Sequence, residues 1–71
     1  MENLQKYHEV SIFKQEAMDA AEDSEYGTAI GKLRRAMRVD AGIAKAAQID
    51  ELLTKYEHTN RWLHQLIPQD T

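Results

Sequence analysis

The stretch from Glu25 to Met37, EYGTAIGKLRRAM, constrains this chain more than any other. Tyr26, Ala29/Ile30, Leu33 and Ala36/Met37 recur at threes and fours, the spacing of one buried face of an α-helix. Gly27 and Gly31 share a second face and leave it without side chains. A glycine inside a helix costs up to about 1 kcal/mol relative to alanine. The compensation expected here is the close approach of another helix over the two glycines. The stretch is therefore a packing motif, and with no strand pattern elsewhere in the chain it predicts an all-α fold.

The flanking segments repeat the helical spacing. From about residue 3 to 21, Leu4, Tyr7, Val10, Phe13, Ala17 and Ala20/Ala21 form an apolar stripe, with Lys6, Glu9, Gln15, Glu16 and Asp19 opposite. Asn3 is a candidate N-cap. Ile12 broadens the middle of the stripe, as expected of a helix that touches two neighbours. Glu22-Asp23-Ser24 breaks the pattern. Asp23 or Ser24 is expected to cap a second helix of about 24–38, with acids before its N-terminus and Lys32, Arg34, Arg35 and Arg38 toward its C-terminus. The helix dipole favours both placements, so the basic cluster reads as a solvated face with intrahelical pairs. After Val39, Asp40 is a candidate N-cap and Gly42 a local weak point.

A longer third helix is predicted over about 41–66, with Ile49, Leu52/Leu53, Tyr56, Leu63 and Leu66/Ile67 as its main row. Thr59 and Asn60 interrupt that row and predict a bend. Tyr56 and Trp62 are expected in the core or in helix–helix contacts rather than as ligand platforms. Pro68 ends the helix, since proline lacks the N–H and disfavours helix in the preceding residue. The whole chain, 1–71, reads as a single helical unit: a tetratricopeptide-like hairpin followed by a longer helix. One such unit cannot bury all its own faces.

Composition narrows the function classes. A chain of 71 residues buries only about 60% of its unfolded surface, which leaves little room for a desolvated cleft. The net charge of −3 argues against nucleic-acid binding, because counterion release needs a dense positive surface. Without cysteine there is no disulfide and no thiolate metal site. His8, His58 and His64 do not pair with one another at the i, i+4 spacing of a helical metal site. Ser11, Ser24 and Thr28 sit on helix faces or in caps rather than against a histidine base. Gly27-x-x-x-Gly31 follows no strand and precedes no Gly-Lys-Ser/Thr, so it is not a phosphate loop. The expectation is a protein without catalytic activity, metal or cofactor. No apolar run approaches the roughly 20 residues of a membrane span, and the polar N-terminus lacks the apolar core of a signal peptide. A soluble, cytoplasmic protein is expected.

Residues 17–36, AMDAAEDSEYGTAIGKLRRA, resemble a segment of the Bro1 domain found in Alix-type ESCRT-associated scaffolds. There a helix of small residues runs through a charged turn into aromatic-Gly-x-x-Ile-x-basic-Leu-x-x-Ala. Tyr26, Gly27, Ile30, Lys32, Leu33 and Ala36 match that pattern in register. Residues 60–68, NRWLHQLIP, resemble the element that closes the family's following helix, with Ile67-Pro68 as the matching end. Leu63 stands where that element often has tyrosine, so no phosphotyrosine role transfers. A complete Bro1 domain is several times longer, and its groove for the C-terminal helix of an ESCRT-III subunit is built mostly by helices that would precede residue 1. The resemblance therefore implies a unit of a larger Bro1-like domain, or a short relative. Its role would be protein–protein scaffolding in endosomal sorting, reaching membranes only indirectly, and no binding residue transfers. Two other readings compete: a stand-alone helical module whose groove accepts a partner helix, and a small nucleic-acid binder using Lys32, Arg34, Arg35 and Arg38.

Overall fold

Two residues in left-handed backbone geometry, Ser24 and Gln48, each with φ 63°, set the path of the chain. In the computed structural model, which describes the backbone of residues 2–66 and the side chains of residues 4–65, they and the extended Asp40 separate four helices: α1 (Glu2–Glu22), α2 (Tyr26–Val39), α3 (Ala41–Ala46) and α4 (Ile49–Leu66). Asn3 lies inside the first turn of α1 rather than before it, and Ile67 and Pro68 fall outside the described residues.

Ser24 ends α1 and does not cap α2. The Glu25 N–H donates to the Ala20 carbonyl at 2.9 Å and the Ser24 N–H to that of Ala21 at 3.0 Å. These are the paired bonds of a Schellman motif, with serine in the position usually held by glycine. The residue preceding α2 is Glu25, whose side chain makes no capping bond. The expected cap from Asp23 or Ser24 is thus replaced by a C-terminal stop of the preceding helix. At the second break the expectation holds. Asp40 accepts from the Ile43 N–H through Oδ1 at 3.0 Å, and a cap of this kind is worth about 0.5–2 kcal/mol.

The long third helix is in fact two helices. Its break lies at Ala47–Gln48, where the sequence has neither glycine nor proline, and not at Thr59–Asn60, through which α4 runs uninterrupted. Within it the Thr59 hydroxyl donates to the Lys55 carbonyl at 3.0 Å, a bond found for threonine inside helices. The break at Ala47 has a tertiary partner: the Lys14 ammonium donates to the Ala47 carbonyl at 2.9 Å. It also turns Ile49 fully inward.

α2 folds back along α1, and α4 folds back along α2, while α1 and α4 barely meet. The core comprises Val10, Ala17, Ala29, Leu33, Ala36, Ala44, Ile49 and Tyr56. Leu33, Ile49 and Val10 are its largest fully buried side chains. Four of the eight are alanines, Ala17, Ala29, Ala36 and Ala44. Gly27 and Gly31, expected to mark a crossing, lie on the opposite face of α2, exposed, with nothing within 4 Å of where a Cβ would stand. Gly42 differs: a Cβ there would lie 3.3 Å from the capping Asp40 Oδ1.

The stripe expected on α1 is buried only from Val10 onward; Leu4 and Tyr7 are exposed, as is Ile12. The molecule is elongated, 52 × 18 × 15 Å, with a radius of gyration of 13.5 Å against about 11 Å for a compact chain of this length.

Two consequences are measurable by denaturant unfolding. Leu33→Ala costs about 2–5 kcal/mol, much of the roughly 4–10 kcal/mol available to a domain of this size. Gly31→Ala stabilises by up to about 1 kcal/mol, and Ser24→Gly also stabilises, since it relieves a left-handed residue that costs roughly 1–2 kcal/mol. Gly42→Ala gains less than Gly31→Ala because it crowds the cap. Equal gains at the two glycines would contradict this packing.

Candidate functional site

The start of α2 delivers Tyr26 against Tyr56 of α4. Their ring centroids are 5.8 Å apart and the planes tilted by 57°, an arrangement worth about 0.5–1.5 kcal/mol beyond its buried area. Tyr56 is buried and Tyr26 half-buried. Burial is the main reason the Tyr56 phenol is raised above its ordinary value of 10.0, with neighbouring Tyr26 and Glu22 adding to the effect.

This aromatic pair floors a groove where the end of α1 passes the middle of α4. Met18, Ala21 and Glu22 form one wall, Lys55 and Thr59 the other, around a space of about 280 Å³. The floor is apolar and aromatic, while Glu22 and Lys55 place opposite charges at the rim. A second, more polar cleft of about 320 Å³ opens between α2 and α4, lined by Ile30, Arg34, Glu57, Asn60, Arg61 and His64. Arg34 donates to Glu57 Oε2 across it at 2.9 Å.

The residues singled out in the sequence separate by role. Leu33 and Ala36 are fully buried, and Tyr26 and Ile30 pack against the core. Lys32 reaches across to Glu16 of α1 at 3.1 Å. Gly27 faces outward. The basic cluster of α2 thus makes its recorded ion pairs between helices, through Lys32 and Arg34, not within α2 as expected. Trp62, expected in a helix–helix contact, is 54% exposed. His8, His58 and His64 are all exposed, and among the described residues no three His, Asp or Glu side chains gather as metal ligands would. No described helix is long and apolar enough to cross a membrane.

Met18, Lys55 and Thr59 escaped the reading of the sequence. Each looks like an ordinary helix-surface residue, and only the packing of two helices on a third brings them together. Comparison with protein-family models, curated proteins and solved structures gives no match to this chain.

The raised pKa of Tyr56 has a definite sign. The fold favours the neutral phenol, so this stabilisation is complete below pH 10 and is lost as the pH climbs through the folded-state value. Unfolding free energy is expected to fall more steeply above pH 10 in the parent chain than in Tyr56→Phe. Parallel pH profiles for the two proteins would show that the phenol makes no such contribution.

Proposed function

We propose that this chain is a non-enzymatic helical scaffold for protein–protein interaction, with the groove between α1 and α4 as its binding surface. The observation that supports this reading is the construction of the groove: an aromatic floor of Tyr26 and Tyr56, aliphatic walls from Met18 and Ala21, and charges of opposite sign at the rim. An amphipathic helix laid along such a groove buries its apolar face and meets a polar margin.

The resemblance of residues 17–36 to the Bro1 domain gives the proposal a specific form. The hairpin of α1 and α2 would be a tetratricopeptide-like element. The partner would be the C-terminal helix of an ESCRT-III subunit, and the setting cytoplasmic and endosome-associated. Tyr26, Leu33 and Ala36 hold the packing positions that such a hairpin needs, whereas outward-facing Gly27 does not contribute to it. The groove reading applies equally to a stand-alone module with a different helical partner.

Titration of a fluorescent ESCRT-III C-terminal helix peptide with this chain tests the specific form. Saturable binding is expected, weakened roughly tenfold or more by Met18→Arg, which places a charge in the groove. Absence of binding, both to this chain and to any longer protein containing it, would remove the ESCRT assignment. Binding that is indifferent to Met18→Arg would place the surface elsewhere.

A further inference from the structure

α2 holds four of the nine lysines and arginines of this chain and none of its twelve acidic residues. A strongly positive helix is thus set into a molecule whose net charge is −3. Lys32 is answered by Glu16 at 3.1 Å and Arg34 by Glu57 at 2.9 Å. Among the described residues, Arg35 and Arg38 have no ion pair, and neither has Arg61 of α4. Arg34 and Arg38 stand one turn apart, where like charges destabilise a helix.

Part of this charge opens on the cleft between α2 and α4. Arg34 lines it from α2, Asn60 and Arg61 from α4, and Glu57 is the carboxylate among them. Its volume of about 320 Å³ falls within the range of small-molecule sites. The groups in it do not balance. Each guanidinium presents five N–H donors, yet the recorded bond of this pair of arginines is one, from Arg34 Nη2 to Glu57 Oε2. Access is open as well: Gly27, Gly31, Arg34 and Arg38 follow at fours and threes along one face of α2.

We propose that this cleft binds the phosphate of a small molecule, bridged by the Arg34 and Arg61 guanidiniums, with Asn60 donating through its amide and Arg38 adding to the field. The excess of positive charge selects an anion. The number of unused donors selects phosphate over carboxylate. A carboxylate brings one charge and two oxygens, and Glu57 already supplies that to Arg34. A phosphate monoester brings a charge of about −1.5 to −2 and three acceptor oxygens, enough to meet forks from two helices bidentately. Glu57 holds Arg34 toward α4, which orients it before the phosphate arrives. The site shares no residue with the groove between α1 and α4, so it stands or falls separately from that reading.

Inorganic pyrophosphate is titrated into the full chain at about 0.15 M salt, followed by calorimetry and amide NMR shifts. Saturable binding at one site is expected, with a dissociation constant below about 1 mM and shifts concentrated at residues 30–38 and 57–64. Arg61→Lys keeps the charge but loses the fork, and is expected to bind about tenfold more weakly. Arg35→Gln removes a charge outside the cleft and is expected to bind within about twofold of the parent. Arg34→Gln/Arg61→Gln changes two exposed side chains and is expected to abolish binding with its helical circular dichroism retained. Co-sedimentation with phosphoinositide vesicles, but not with phosphatidylcholine alone, would assign the phosphate to a lipid headgroup; its absence beside pyrophosphate binding assigns it to a soluble molecule. No saturable pyrophosphate binding overturns the proposal. So does Arg61→Lys binding as the parent does, or tighter binding of duplex DNA or an oligoglutamate peptide through the same residues.

Discussion

The stripe Ala29–Leu33–Ala36 is the joint of this molecule. α2 packs against α1 on one side and α4 on the other, while those two helices hardly touch. Both interfaces therefore depend on the same narrow apolar face. Half of the eight core residues are alanines, which let helix backbones approach closely but bury little area each. Among these eight the larger share of the hydrophobic stabilisation comes from Val10, Leu33, Ile49 and Tyr56, because the free energy scales with the apolar surface removed from water, and partly buried side chains such as Phe13, Ile30, Leu52 and Leu53 add to it. A core so thin explains why the molecule is long and narrow, and why several large apolar side chains find no place inside it.

Polar interactions then fix how the helices sit on that joint. Lys32–Glu16 ties α2 to α1, Arg34–Glu57 ties α2 to α4, and Lys14 bonds the Ala47 carbonyl. Exposed ion pairs of this kind contribute about 0–1 kcal/mol each, so they do not hold the fold together. They do select among ways of packing an apolar stripe that is itself nearly featureless. Charge segregation makes the selection consistent: the charged side chains of α2 are all basic, while most of those on α1 are acidic. The Lys14 bond does more than select, since it satisfies a carbonyl at the place where the predicted third helix turns into α3 and α4.

The same economy shapes the surfaces available for binding. A central helix with a neighbour on each side leaves a groove between those neighbours, and the Tyr26–Tyr56 pair closes its floor. Leu4, Tyr7 and Trp62 stay exposed outside that groove, on helices of unequal length, 21 residues for α1 and 18 for α4 against 14 for α2.

The sequence by itself determined the all-helical class, the breaks near Ser24 and Asp40, the Asp40 cap and the burial of Leu33 and Tyr56. All of these follow from spacing and side-chain chemistry within one turn or two. Only the tertiary structure decided which faces acquire a neighbour. Periodicity shows that Gly27 and Gly31 share a face, but not that this face points to solvent. It places Trp62 beside Leu63, but not beyond the reach of α1. The break at Ala47–Gln48 has no local cause either: its recorded side-chain partner, Lys14, lies 33 residues earlier, and the turn it accompanies seats Ile49 in the core. Conversely, Thr59 and Asn60 look locally like a weak point, yet α4 is continuous through both. The residues that require left-handed geometry, Ser24 and Gln48, are not glycines, and the three glycines do not adopt it. The path of this chain was set by packing between helices, at the expense of local backbone preference.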